Sequence, residues 1–323
     1  MKKEELRIVF MGTPDFAVEP LRVLVENGYN IAGVITNIDK PAGRGKKINI
    51  SAVKKYALEQ KLTLLQPAKL KSPEFIEELR KLKPDLQIVV AFRMLPEIVW
   101  NMPPLGTFNL HASLLPQYRG AAPINWAIMN GETETGLTSF FLQHEIDTGK
   151  IIYQEKTNIS ADENAGQLHD SLMLMGGKLV MKTVDSIIAG HYPQTEQRQF
   201  INDIEILKRA PKIFKEDCRI DWSANIGKIY NHIRGLSPYP AAWTEIKNQE
   251  NEIIQLKIFA VGKEVCKNDL KPGTIHTDSK KYLQVAISDG FINILQLQQA
   301  GKKRMKTDDF LRGFKEIEGW RFQ

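Results

Sequence analysis

The chain has 323 residues, 42% of them hydrophobic and 25% charged, which fits a folded globular protein and excludes disordered, collagen-like and membrane-embedded classes. No apolar run approaches the roughly 20 residues of a bilayer span; with only Cys218 and Cys266, a disulfide framework and a cysteine-built zinc site are excluded, and a reducing cytoplasm is the expected compartment. The length corresponds to about two domains, and 44 basic against 38 acidic side chains leave a net charge of +6 that alone singles out no partner.

In chain order, Arg7-Ile8-Val9-Phe10-Met11 reads as a short buried strand, followed by the turn Gly12-Thr13-Pro14-Asp15-Phe16 and by Val18, Leu21, Leu24 and Val25 at helical spacing. A second buried strand is predicted over 31–36 and helices over 51–60 and 72–82, the latter with Glu77, Glu78 and Lys81 on its wet face. Further strands are predicted over 85–91 and 106–110. Apolar strands alternating with amphipathic helices predict an α/β fold with a doubly wound, mainly parallel sheet, covered on both faces and binding ligands at the carboxyl ends of its strands.

Beyond about residue 190 the pattern changes to short β-branched runs over 253–261, 282–288 and 291–298, separated by the turn signals Lys271-Pro272-Gly273 and Ser288-Asp289-Gly290. That spacing predicts a small antiparallel β-barrel. The expected division is a first domain over 1–190, a linker over 191–207 that is rich in glutamine, and a second domain over 208–323. The charge is distributed unequally between the two parts. Residues 1–204 carry 23 basic and 23 acidic groups, whereas 205–323 carry 21 and 15. Such an asymmetry fits a polyanion-binding module joined to a neutral one, and it also fits a merely solvated basic face.

Three motifs fail on their chemistry. The Gly12 turn lacks the second and third glycines that let a backbone approach a dinucleotide pyrophosphate. Gly43-Arg44-Gly45-Lys46-Lys47 lacks the four-residue gap of a phosphate loop, and His144-Glu145 has no second histidine one helical turn on. What remains is a set of polar side chains at strand ends. Asn109 and His111 lie two apart and leave an extended chain from one face, while Phe108 and Leu110 point into the core. An amide donor beside a group that can donate and transfer protons suits a carbonyl oxygen that becomes negative under nucleophilic attack. A satisfied structural histidine is the alternative. Asp147, in the turn Ile146-Asp147-Thr148-Gly149 after the apolar run 137–142, can orient a histidine, accept an amine's proton or simply cap its turn.

Asn109-Leu-His111-Ala-Ser113-Leu-Leu-Pro116 followed by Gly120, with Asp147-Thr-Gly149 downstream, resembles the signature of the folate-dependent formyltransferases. The segments Lys40–Lys47, Arg119–Ile124, Leu236–Trp243 and Gln299–Lys303 resemble the branch of that family that acts on initiator methionyl-tRNA, so the likeness runs from Gly12 to Lys303. The resemblance implies direct formyl transfer from 10-formyltetrahydrofolate to the α-amine of tRNA-bound methionine, with no metal and no covalent intermediate. It implies that Asn109 and His111 stabilise the oxyanion, that Asp147 orients His111 and assists amine deprotonation, and that Ser113, Leu114, Leu115 and Pro116 belong to the folate-binding segment.

It also implies a C-terminal barrel of the oligonucleotide-binding type, a monomer with no membrane partner, and tRNA contacts from Arg44, Lys46 and Lys47 in a basic loop and from Lys302, Lys303 and Arg304. The segment Ala91-Phe92-Arg93-Met94-Leu95-Pro96 departs from the family's version, being one residue shorter and carrying Arg93 where a small residue is usual, which bears on the pterin pocket. Trp126 and His144 are expected to pack. Formyl transfer to a small amine and non-catalytic binding of folate or tRNA are the competing readings.

Overall fold

The computed structural model describes residues 2–42, 47–201, 206–314 and 316–323, and for 40–42 and 47–49 it describes the backbone only. Two of the predicted RNA contacts, Arg44 and Lys46, and the Lys47 side chain therefore lie outside the described residues. The first part of the chain runs β1 (Ile8–Gly12), α1 (Val18–Glu26), β2 (Ile31–Ile35), β3 (Lys40–Ala42), β4 (Lys47–Asn49), α2 (Ala52–Glu59), β5 (Leu64–Leu65), α3 (Pro73–Lys81), β6 (Leu86–Val90), α4 (Glu97–Trp100) and β7 (Thr107–His111). It continues through β8 (Arg119–Gly120), α5 (Pro123–Met129), β9 (Glu134–Phe141), β10 (Ile151–Asn158) and α6 (Ala165–Ala189). The last part runs β11 (Arg209–Ala210), α7 (Ile226–Leu236), β12 (Ala242–Asn248), β13 (Ile253–Val265), β14 (Ile275–Thr277), β15 (Leu283–Ile287), β16 (Gly290–Gln299), β17 (Met305–Lys306), α8 (Thr307–Gly313) and β18 (Trp320–Phe322).

The chain divides into two compact units, one of 1–120, 135–157 and 169–209, the other of 121–134, 158–168 and 210–323. In the first, seven strands form one sheet in the order β10-β9-β7-β6-β1-β2-β5. The pairs β1/β2, β1/β6, β2/β5 and β6/β7 are parallel, and β9 runs antiparallel to β7. This is the expected mainly parallel sheet. β1 and β6 are buried at every position, as strands covered on both faces must be. The helices α2 and α3 start where serine supplies an N-cap: Ser51 accepts from the Lys54 amide and Ser72 from the Phe75 amide.

The strand that carries the candidate site is held by apolar anchors. Phe108 is fully buried and Leu110 nearly so, each stabilising the strand by about 1.5–3 kcal/mol relative to exposure. Their burial sets the register, since a slip by one residue would turn Asn109 and His111 into the core face.

In the second unit the strands run β14-β15-β16-β13-β12-β18, with β17 on β16. The end strands meet: Thr274 bridges Arg321, and the Phe322 amide donates to the Gly273 carbonyl at 2.9 Å. The sheet thus closes on itself as the antiparallel barrel that the turn spacing predicts. Its interior holds Ile246, Leu256, Ile258, Leu283, Val285, Ile292 and Leu297, packed with Ile229 and Ile233 of α7. Lys302, Lys303 and Arg304 sit exposed in the turn after β16, where Arg304 bonds Gln296 through Nε at 3.0 Å and lies 4.3 Å over the Phe259 ring.

Candidate active site

β7 delivers Asn109 and His111 to the same face near its carboxyl end, between β6 and β9, where Asn109 pairs with Val89 on one side and Phe140 on the other. Asn109 is half-buried and His111 only 6% exposed. The imidazole lies 6.5 Å from the Phe140 ring, edge to face. Its Nε2 is 2.9 Å from the Tyr118 carbonyl oxygen. A carbonyl can only accept, so Nε2 carries the proton and Nδ1 faces the opposite direction. There it meets Asp147 Oδ2 at 3.9 Å, beyond hydrogen-bond reach. The bond that orients His111 therefore comes from Tyr118, whereas the resemblance gave that duty to Asp147.

The loop after β7 is self-contained. Ser113 Oγ donates to the Gln117 carbonyl at 2.6 Å, and Thr138 Oγ1 donates to the Ser113 carbonyl at 2.7 Å while accepting from the Leu115 amide. Gln154 Nε2 donates to the Leu115 carbonyl. Tyr118, at a φ of 59°, is pinned by its amide to the Lys208 carbonyl at 2.7 Å. Ser113, Leu115 and Pro116 are buried and Leu114 half-buried. These four residues follow His111 in the chain, and three of their side chains are buried in building the loop.

Asp147 sits in a left-handed conformation, φ 55°. One of its carboxylate oxygens accepts from the Gly120 amide at 3.0 Å. Two residues on, a Cβ at Gly149 would stand 1.7 Å from the Phe141 carbonyl oxygen, so only glycine fits where the turn crosses β9. The turn is also gripped from a segment that the sequence places in a linker. Gln197, 3% exposed, donates through Nε2 to the carbonyls of Asp147 and Gly149 at 2.8 and 2.9 Å. Its Oε1 accepts from Arg119 Nε and Nη2 at 3.0 and 2.5 Å. Burial lowers the pKa of the Arg119 guanidinium, opposed by the nearby Asp147 and Glu145 charges. Sequence reasoning missed Gln197, because nothing in a segment with several glutamines marks which one is buried.

Arg93 is engaged with the backbone, and its buried Nε has no hydrogen-bond partner among the described residues. Its guanidinium donates to the backbone carbonyls of Pro67 and Ala68, tying the atypical segment 91–96 to its neighbour, and desolvation lowers its pKa. His144 does not pack as expected: its side chain is 77% exposed, 3.5 Å from Glu97 and edge-on to Trp100, because the turn before Asp147 projects into solvent. Trp126 is half-buried and donates its indole N–H to the Pro211 carbonyl. Among the described residues no three metal-ligating side chains cluster, and no helix is long and apolar enough to cross a membrane.

A buried histidine, a half-buried amide and a carboxylate held in a tight turn stand together at one end of the mainly parallel sheet, residue types that can stabilise a developing oxyanion and accept a proton. The family description "Formyl transferase" matches residues 6–184, and "Formyl transferase, C-terminal domain" matches residues 212–315. The chain belongs to the formyl transferase family. Over 99% of both chains it is 61% identical to the methionyl-tRNA formyltransferase of Bacteroides thetaiotaomicron. It is 53% identical to that of Flavobacterium johnsoniae over 96% of each.

Among solved structures it is similar to HypX of Aquifex aeolicus in complex with tetrahydrofolic acid, at a TM-score of 0.62 and 18% identity; 95% of this chain is covered, and it spans about half of HypX, 47%. It is also similar to an N-formyltransferase of Helicobacter canadensis in complex with folinic acid and dTDP-3-aminofucose, at 0.63 and 21%, covering 91% of this chain and 99% of that one. At those identities the likeness shows the fold alone.

Proposed function

We propose that this enzyme transfers the formyl group of 10-formyltetrahydrofolate to the α-amino group of methionine on initiator tRNA. The observation that carries the reading is the convergence of Asn109, His111 and Asp147 at one strand end, in a chain about 60% identical along its full length to methionyl-tRNA formyltransferases. The neutral amine attacks the formyl carbon, and the carbonyl electron pair moves to oxygen. The Asn109 amide donates to that oxyanion, and so does His111 through Nδ1 when protonated, since Nε2 is held by Tyr118. The C–N bond to the folate nitrogen then breaks as the carbonyl re-forms. Asp147 takes the proton that the attacking amine sheds and, with His111 as the relay, returns it to the departing folate nitrogen, so that one C–N bond forms, one breaks and no net proton is gained or lost. No metal takes part in this scheme.

The loop Ser113–Pro116 shapes the folate pocket through its backbone. The barrel supplies RNA contacts at Lys302, Lys303 and Arg304, within the basic stretch 205–323, and Arg44, Lys46 and Lys47 supply others from the first part of the chain. The enzyme works as a cytoplasmic monomer, with the chemistry in residues 1–190 and a second, tRNA-binding domain in 208–323 joined through 191–207, the loop at Arg44, Lys46 and Lys47 adding RNA contacts from the first. The test offers purified protein 10-formyltetrahydrofolate with methionyl initiator tRNA and an amino-sugar nucleotide together. Formyl-methionyl-tRNA as the product is expected; formyl transfer to the sugar amine alone would establish the small-amine reading instead, and no product on either would leave a binding protein.

A further inference from the structure

We infer that Gln197 is a positioning residue of the transfer reaction, holding the Asp147 turn in register with Gly120 so that the carboxylate stays on the Nδ1 side of His111. The inference rests on the proposed role of Asp147 in moving the amine's proton. Gln197 lies outside the strand-end constellation, 50 residues beyond Asp147 in sequence.

All four of its bonds point to one orientation. The carbonyls of Asp147 and Gly149 can only accept and the Arg119 guanidinium can only donate, so the amide has its nitrogen on the turn and its oxygen on Arg119. The next residue after Arg119 is Gly120, whose amide donates to Asp147 Oδ2. Gln197 therefore closes a ring: it grips the backbone of the turn on one side and, through Arg119, the backbone that binds the carboxylate on the other. A residue serving only to fill space would need neither the donor pair nor the acceptor. Asp147 occupies a left-handed conformation, which a non-glycine residue keeps only when its surroundings over-determine it. The two bonds from Gln197 to the carbonyls of 147 and 149 are that constraint.

Gln197→Glu separates the halves of the ring, because it keeps size and the acceptor for Arg119 but sets a carboxylate oxygen against two carbonyl oxygens. Displacing a catalytic group by about 1 Å is worth roughly 100-fold in rate. For Q197E, kcat for formylation of methionyl initiator tRNA is expected to fall by about that factor, with KM for tRNA and folate unchanged and the unfolding temperature of the protein retained. In an Asp147→Asn background the same change should have no further effect on kcat, since Gln197 acts through Asp147; a general structural role would multiply the two losses. Wild-type kcat in Q197E, or multiplying losses in the double variant, would overturn the inference while leaving the formyl transfer reading intact. Wild-type protein that formylates only a small amine would overturn that reading, and the comparison of variants would then be made with that amine. If Q197E does not fold, Gln197→Met replaces it; failure of both to fold would assign Gln197 to the fold and sink the inference.

Discussion

Tyr118 and Asp147 both hold positive φ angles, 59° and 55°, and they flank the same imidazole: the carbonyl of one is 2.9 Å from His111 Nε2 and the carboxylate of the other is 3.9 Å from Nδ1. Non-glycine residues in that region carry about 1–3 kcal/mol of backbone strain each, here spent on aiming a carbonyl and a carboxylate at opposite edges of one ring. His111→Ala should lower kcat by roughly 100- to 10,000-fold, and Asn109→Ala by about 100- to 1,000-fold as an oxyanion donor is lost. Both variants should retain the circular dichroism spectrum of the parent; unchanged turnover in either would remove that residue from the mechanism. Both side chains were legible in the sequence, because a strand's period of two and the burial of Phe108 and Leu110 put them on one face. The hydrogen bond from His111 to Tyr118 was not legible, since it depends on the path of a seven-residue loop and not on any residue type.

Elements with strong local signals emerged nearly as read. The helices predicted over 51–60 and 72–82 are α2 and α3 at 52–59 and 73–81, each one residue inside its serine cap, and the strands predicted over 85–91 and 291–298 are β6 and β16 at 86–90 and 290–299. The 25-residue helix α6 went unread. Its Gly176-Gly177 pair weakens helical propensity by about 1 kcal/mol per glycine, and only tertiary burial of Leu168, Leu172, Leu179, Val180, Val184 and Ile187 offsets that. Gln197 was hidden for the same reason, its partners lying 48 to 78 positions away. In the second unit the turn at Gly273 was read and its purpose was not: φ is 87°, and a Cβ there would come within 2.3 Å of the Phe322 carbonyl oxygen, where the barrel closes. Gly273→Ala should therefore destabilise the barrel by at least about 1–3 kcal/mol, seen as a lowered unfolding temperature. A variant as stable as the parent would show that closure does not depend on this approach.

For the whole molecule, the charges of residues 1–204 cancel while residues 205–323 carry the whole excess of six, and polyanion attraction is assigned to that last third of the sequence. Attraction to RNA phosphates weakens with salt by counterion release, with a slope near 0.7–0.9 per neutralised phosphate. KM for charged tRNA should therefore rise with salt while KM for folate changes little. Replacing Lys302, Lys303 and Arg304 together by alanine should raise KM for tRNA at low salt and flatten that slope; an unaltered slope would show these exposed groups to be solvated only.

The charge excess of residues 205–323 bears on Lys302, Lys303 and Arg304, but it says nothing about Arg44, Lys46 and Lys47, which belong to a stretch, 1–204, whose charges cancel. The most direct test of the central claim is transfer of isotopically labelled formyl from 10-formyltetrahydrofolate to methionyl initiator tRNA, followed by mass analysis of the amino acid released from the ester. Labelled N-formylmethionine, absent when the tRNA is uncharged or His111 is alanine, is the predicted result. Label on a small amine with none on the esterified methionine would contradict the account.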